Sequence, residues 1–348
     1  MAACQFKYGI VGAGLSGLTT AHQLFHSGEK DFVVLDSRNH LGGRIHTKDH
    51  VDLGATWFQD HHTYLSQLVN EMLVEKYEQY SKGKSVLIYN TMAPAHFFES
   101  SQEGPNAFRI KNGTKSLITA LSAPYEDKIQ LSEKVCRILE SNERIYVETE
   151  KNSYICQKVI VAMPPKLVKR IAFEPELPEN LVHIMDQTHT WMSNAIKVGI
   201  TYEKPFWREK GLSGTIIGQV GPVIELYDHS SHCNTHHSLM GFVNEGLRDT
   251  PPEERQERIL GYLEKYFGEE ARAYTNYFEK DWSKDPDTSG KELKSVYMSP
   301  KYGHPAFQEF YLNGKVWFSG AETSPVHGGY MDGAVYSGLQ ACKKLLEG

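Results

Sequence analysis

The chain has 348 residues, 40% of them hydrophobic, and a mass of 39.5 kDa, enough for two domains or one large one with a packed core. A net charge of −6 and a pI near 6.2, with no long Lys/Arg run, exclude the basic footprint of a nucleic-acid-binding protein. No segment reaches the length of a membrane span, and Met1 to Gln5 lead into the first strand without a charged or apolar leader. Cys4, Cys136, Cys156, Cys233 and Cys342 are scattered and lack C-x-x-C spacing, so they read as reduced thiols. The expectation is a cytoplasmic protein.

In chain order, Phe6 to Val11 is a strand that runs into Gly12, Ala13, Gly14, Leu15, Ser16, Gly17, followed by a helical pattern at Leu18, Ala21, Leu24 and Phe25. In this G-x-G-x-x-G, Gly12 permits a tight turn, Gly14 a close approach to a pyrophosphate, and Gly17 close packing of helix on strand. The helix N-terminus offers unpaired N–H groups to phosphate charge. A second strand, Asp31 to Leu35, ends in Asp36, where an acid can bind ribose hydroxyls and disfavours a 2′-phosphate. Leu41-Gly42-Gly43-Arg44 suits a second pass of backbone along the same pyrophosphate, with a guanidinium fork beside it. Val51-Asp52-Leu53-Gly54-Ala55-Thr56-Trp57 follows.

Gln59-Asp60-His61-His62 precedes a helical pattern at Leu65, Leu68, Val69, Met72 and Leu73. With no acid or third ligand at helical spacing, the two histidines read as exposed loop residues, and no metal site is expected. Ser81 to Arg109 reads as irregular, Lys115 as part of a short helix, and Lys128 to Leu139 as one strand. A hairpin pattern runs from Arg144 to Cys156, and Lys158 to Ala162 is a buried, parallel-type strand stopped by Pro164 and Pro165. Ala195 to Tyr202 is a strand with Lys197 at its centre, either facing outward to water or buried with polar company. Thr250-Pro251-Pro252-Glu253 reads as a capping-box helix start, Ile259, Leu260, Leu263 and Phe267 as its apolar face, and Gly268 as its stop. A last strand, Val316 to Thr323, contains Glu322, and Gly328-Gly329-Tyr330-Met331-Asp332 opens a terminal helix. On pattern alone Glu322 is either a site acid or a cap, and His327 either a site residue or a structural one.

The order of these motifs resembles the flavin-containing amine oxidases, the monoamine and polyamine oxidases, with a shortened interval at 81–108 where the family carries a helical roof over its substrate cavity. The resemblance implies an α/β fold: a discontinuous Rossmann-like FAD-binding domain (1–80, 109–187 and 285–348) and a second, α+β substrate domain (81–108 and 188–284). It implies FAD held by Gly12, Gly14, Ser16, Gly17, Asp36, Ser37, Arg38, Gly43, Arg44, Ala55, Thr56, Trp57, Val135, Glu322, Gly329 and Met331. A helix N-terminus at Met331 would stabilise negative charge on a reduced flavin by about 0.3 to 1 kcal/mol. Lys197 matches the family lysine that holds a water near the flavin, Tyr330 matches one wall of an aromatic cage, and His327 is a candidate substrate contact. The segment Ser283 to Glu292 holds neither an aromatic for the second wall nor the cysteine that tethers flavin in monoamine oxidases, so non-covalent FAD is expected. The apolar anchoring tail that mitochondrial relatives carry is not expected here, since the sequence stops soon after its last amphipathic helix. The implied reaction is hydride transfer from a small amine to flavin, imine hydrolysis, and re-oxidation by O2 to hydrogen peroxide. A desaturase or dehydrogenase using another acceptor, and a non-catalytic flavin-binding protein, are the alternatives.

Overall fold

In the computed structural model the described residues are 4–90, 92–99, 106–289 and 300–347. The larger of two main sheets forms around the strand Cys4–Val11, which is buried from Tyr8 onward and pairs in parallel with Phe32–Asp36 and with Ser153–Val161. Ile129–Leu131 continues the sheet beyond Phe32–Asp36, and Val316–Phe318 lies parallel to the end of Ser153–Val161. Parallel strands need apolar cover on both faces. The helices Leu15–His26, Lys115–Ser122 and Met331–Glu347 cover one face, and the hairpin Val135–Ser141/Arg144–Thr149 with the helix Glu179–Gln187 covers the other. The carboxyl ends of the central strands therefore open at one edge, followed by Gly12, Ser37, Ala162 and Ser319, where sheets of this kind bind ligands.

The second sheet runs in the order Tyr274–Asp281, Ile196–Tyr202, His237–Val243, Val223–Asp228, Leu212–Gly218, Lys84–Ile88, His96–Glu99. The helix Pro252–Phe267 covers one face, setting Ile259, Leu263 and Phe267 against Ile196, Val198 and Ile200. Pairing places Lys197, Phe242 and Glu225 side by side on adjacent strands. Val51 and Leu53, in the segment after the second glycine turn, pack against Met240 of the second sheet. Among the described residues no helix is long and apolar enough to cross a membrane.

Several local expectations are corrected. Lys128 to Leu139 is two strands, Ile129–Leu131 and Val135–Ser141, because Ser132 turns with φ +58°. Ser132 and Glu133 donate their N–H groups to Arg38 and Asp36 carbonyls, tying the break to the loop after the second strand. The tail of the hairpin and the strand from Lys158 are one element, Ser153–Val161. Ser81 to Arg109 contributes the strands Lys84–Ile88, His96–Glu99 and Ala107–Ile110; the first joins the second sheet beside Leu212–Gly218, a long-range pairing that no local pattern announces, and the second pairs with the first. The helix starting at Pro252 has no side-chain cap, so Thr250 and Glu253 form no capping box, but it does stop at Gly268, whose φ is +102°. The terminal helix begins at Met331, after a turn. Leu73 lies outside its helix, 90% exposed.

Candidate active site

A cleft enclosing about 1290 Å³ of empty space, its open mouth included, runs along the carboxyl edge of the larger sheet. Gly12, Gly14 and Ser16 line it near one end and Tyr330 and Met331 near the other, with Asp36, Ser37, Arg38, Gly43, Arg44, Ala55, Val135 and Gly329 also on its walls. Of the residues expected to hold a nucleotide, Gly17, Thr56, Trp57 and Glu322 stand behind this lining rather than in it.

The glycine turn is shaped by close approach. A Cβ on Gly17 would lie 1.9 Å from the carbonyl oxygen of Gly12, so only glycine lets the helix start this near the strand. A Cβ on Gly14 would meet no protein atom within 4 Å; that position faces the cleft itself. Asp36, 5% exposed, clamps the turn: its carboxylate accepts from Ala13 N–H at 2.6 Å and Arg38 N–H at 2.8 Å. Burial raises its pKa, opposed by these two hydrogen bonds and the Arg38 charge. The Arg38 guanidinium donates to Asp285 (2.8 Å) and Thr288 (2.9 Å), so it anchors the loop that brings Pro286 and Asp287 to the cleft. The Ser16 hydroxyl pairs with Ser319 at 2.7 Å, and Ser319 with Ser337 at 3.1 Å, which ties three elements together under the turn.

Arg44 forms a two-pronged ion pair with Glu322, which is fully buried, and also donates to Thr190. Burial acts against both charges, but the Arg44 charge and its hydrogen bonds hold the Glu322 carboxyl below its ordinary pKa, and Glu322 in turn holds Arg44 above its own.

Lys197, 1% exposed, is buried with polar company. Its ammonium donates to the carbonyls of Asp52 (3.1 Å) and Gly54 (2.7 Å) and to the Thr56 hydroxyl (2.8 Å), with the Trp57 and Phe242 rings 5.4 and 5.0 Å away. These three acceptors sit on the turn that carries Ala55 to the cleft. Burial pulls the Lys197 pKa down to about 7, with Asp52 acting against this and Arg109 adding to it.

At the far end Tyr330 is 56% exposed and Trp191 47% exposed, both on the cleft wall, and the Trp191 indole N–H donates to Gly329 O at 3.2 Å. Trp191 was missed by sequence reasoning because it lies in the link between helix and strand, where no periodicity marks it. In the segment expected to carry a second wall, Ser283 to Ser289 bring no aromatic, and Gly290 to Glu292 lie outside the described residues. Trp191 leads by way of Phe242 (6.4 Å) and Trp57 to Tyr227, a chain of rings on the inner face of the second sheet. Glu225 stands there too, accepting from the Tyr227 hydroxyl at 3.1 Å. One expectation about histidines is overturned: His62 is 4% exposed, held against His327 and Tyr330 with ring centroids 4.9 and 5.3 Å apart, and burial lowers its pKa. His327 is bonded through Nδ1 to Asp332 at 2.7 Å.

Residues 10–72 match the family model of the NAD(P)-binding Rossmann-like domain, and residues 83–346 that of flavin containing amine oxidoreductase. The probable flavin-containing monoamine oxidase A of Dictyostelium discoideum is 24% identical over 97% of this chain and 96% of its own. The putrescine oxidase of Kocuria rosea is 26% identical over 97% of this chain and 94% of its own. Both alignments (444 and 454 positions) are longer than the 348-residue chain, so these relatives carry segments that it lacks. A solved putrescine oxidase bound to putrescine shares the fold, with a TM-score of 0.86 at 22% identity and full coverage of both chains. With the family model spanning most of its length, the chain belongs to the flavin-containing amine oxidoreductases.

Proposed function

We propose that this oxidoreductase binds FAD non-covalently along the cleft and oxidises a small amine at its C–N bond, with O2 as electron acceptor. The observation that carries the reading is the continuity of one cleft from Asp36, past Gly14, Gly43 and Arg44, to the exposed rings of Trp191 and Tyr330. The residues fit the cofactor: the open face of Gly14 leaves room that the protein's own atoms do not fill, and the start of the helix Leu15–His26 with Arg44 provides donors for a pyrophosphate. Gly12, Gly14, Ser16, Asp36, Ser37, Arg38, Gly43, Arg44, Ala55, Val135, Gly329 and Met331 would hold it directly, with Gly17, Thr56, Trp57 and Glu322 behind them. When bound, the flavin supplies the two-electron acceptor for a hydride from the carbon beside the amine nitrogen.

The chain's own part is orientation and charge. Tyr330 and Trp191 offer electron-rich faces to the amine. A pKa of about 7 lets the Lys197 Nζ release and regain a proton near neutrality without leaving its three oxygen partners. Glu225 places a carboxylate on the same sheet face as Phe242, which favours an amine with a second, protonated nitrogen, as in putrescine, over a monoamine.

One observation favours a second reading, a dehydrogenase that reacts poorly with O2. All three Lys197 donors are already taken by protein oxygens, which leaves no N–H to hold a water. Anaerobic mixing with a panel of mono- and diamines, followed by air, tests both. Loss of the yellow flavin absorbance and its return with peroxide release is expected for the oxidase; reduction without return in air is the dehydrogenase outcome. No reduction by any amine would overturn both. Acid precipitation is expected to release all flavin into the supernatant, and colour retained in the pellet would overturn non-covalent binding.

A further inference from the structure

Three imidazoles converge beside the aromatic end of the cleft. His61, His62 and His327 each present a ring nitrogen, and these atoms all lie within 4.8 Å of one another, the one such group of three metal-ligating side chains among the described residues. The ring centroids are 4.6 Å apart for His61 and His62, 5.2 Å for His61 and His327, and 4.9 Å for His62 and His327. Two separate segments supply them: the loop before the helix Thr63–Glu71, and the turn before the terminal helix.

A fourth residue fixes their arrangement. Asp332, fully buried, accepts the His327 Nδ1–H at 2.7 Å through one carboxylate oxygen and the Leu65 N–H at 2.8 Å through the other. One carboxylate thus binds both ligand-bearing segments to each other. It also sets the tautomer: with Nδ1 protonated toward Asp332, the Nε2 lone pair of His327 is free, the carboxylate–histidine pairing that orients ligands in metal sites. The His62 ring makes one hydrogen bond with the protein, from Gln59 N–H to Nδ1, long at 3.3 Å. That weak contact gives way whichever of its nitrogens ligates.

We propose that His61, His62 and His327 form a binding site for a divalent transition metal of the zinc class, with Asp332 as its supporting carboxylate. Three neutral imidazoles and no oxygen ligand suit Zn2+, Ni2+ or Cu2+ and do not suit Mg2+ or Ca2+. Tetrahedral zinc at about 2.0–2.1 Å from each nitrogen sets the nitrogens roughly 3.3 Å apart. The widest pair closes by about 1.5 Å, a movement open to His61, which is exposed. The fourth position remains for water. Because the His62 ring lies 5.3 Å from that of Tyr330, metal here braces one wall of the cleft. The site stands on the histidines alone and does not depend on amine turnover.

The test uses flavin-loaded protein stripped with a chelator, incubated with equimolar Zn2+, desalted, and assayed for metal by atomic spectrometry. About one zinc per chain is expected in the wild type, with three protein ligands and an open position. His61→Ala and His327→Ala are each expected to lose at least nine-tenths of it, and Asp332→Asn to weaken affinity by about 10- to 100-fold. His50→Ala, which removes one ring of a separate stacked pair with His236, is expected to keep its zinc. Since His61 is exposed, its removal leaves the fold intact. A wild type that retains almost no zinc, or a His61→Ala variant that retains as much as the wild type, overturns the site.

Discussion

Arg44 and Glu322, 278 residues apart in the chain, meet in a two-pronged ion pair at the wall of the cleft. The pair joins the second glycine turn to the loop after the last strand of the larger sheet, so the cleft is closed around a contact between the first and last parts of the sequence. Each charge is tolerable there only because of the other.

Removing Arg44 therefore has a consequence with a definite sign. In the wild type the folded-state pKa of Glu322 lies below its unfolded value, so the pair's contribution is present above that unfolded value and is lost as pH falls through the folded one. In Arg44→Met the carboxylate keeps its burial and loses its counter-charge, so its pKa rises and folding is penalised as pH increases through the raised value. The expected cost near pH 7 is about 3 kcal/mol, at the low end for a buried pair because the Arg44 side chain keeps 23% exposure. The cost is expected to shrink as pH is lowered toward 5. Urea unfolding at the two pH values checks it; a pH-independent difference would show that Glu322 does not depend on Arg44.

Asp36 holds two backbone N–H groups, of Ala13 and Arg38, that shape the glycine turn and the loop after the second strand. Hydrogen bonds to a charged acceptor contribute about 1.5–3 kcal/mol each. In Asp36→Ala the glycine turn loses its clamp, and the flavin-to-protein ratio after gel filtration is expected to fall well below that of the wild type. Full retention of flavin would show that the turn is held without the carboxylate.

The glycine turn that lines the cleft was legible in the sequence because its physics is local. A strand, a glycine turn and a helix follow one another within a few residues, and Gly17 is required by contact with Gly12 only five positions away. The Arg44–Glu322 pairing was not: Arg44 reads as a pyrophosphate donor and Glu322 as a site acid or a cap, and only the fold brings the two together. Trp191 and the strand at Lys84–Ile88 were invisible for the same reason: their partners, Phe242 and the strand Leu212–Gly218, are distant and their own neighbours carry no period. The burial of His62 escaped because the third histidine and the supporting Asp332 come from the other end of the chain.

Trp191 and Tyr330 are exposed rings, so truncating them tests recognition without removing core. Cation–π and apolar contacts of this kind contribute about 0.5–2 kcal/mol. Tyr330→Ala and Trp191→Ala are expected to raise KM for an amine by roughly 2- to 30-fold, with flavin content unchanged. If only one of the two variants alters KM, the other ring is not part of the amine site.

Lys197 makes the last prediction, because its stability effect and its chemistry can be separated. Its pKa is near 7 in the folded chain against 10.5 for a free lysine. Below pH 7 both states carry the proton and the folded one bears a buried charge; between 7 and 10.5 the unfolded chain binds more protons, so the lysine's contribution to stability rises with pH. Lys197→Met lacks this rise. The wild type is thus expected to gain on the variant by up to about 1.4 kcal/mol per pH unit when unfolding is compared at pH 7, 8 and 9. A constant difference would mean that the buried amine keeps its proton throughout and that Asp52, Gly54 and Thr56 stabilise the ammonium fully. The same variant is expected to retain flavin, since the Lys197 contacts lie behind the cleft lining, and to slow re-oxidation by O2 after amine reduction. An unchanged re-oxidation rate in Lys197→Met would confine the residue to bracing the turn that presents Ala55.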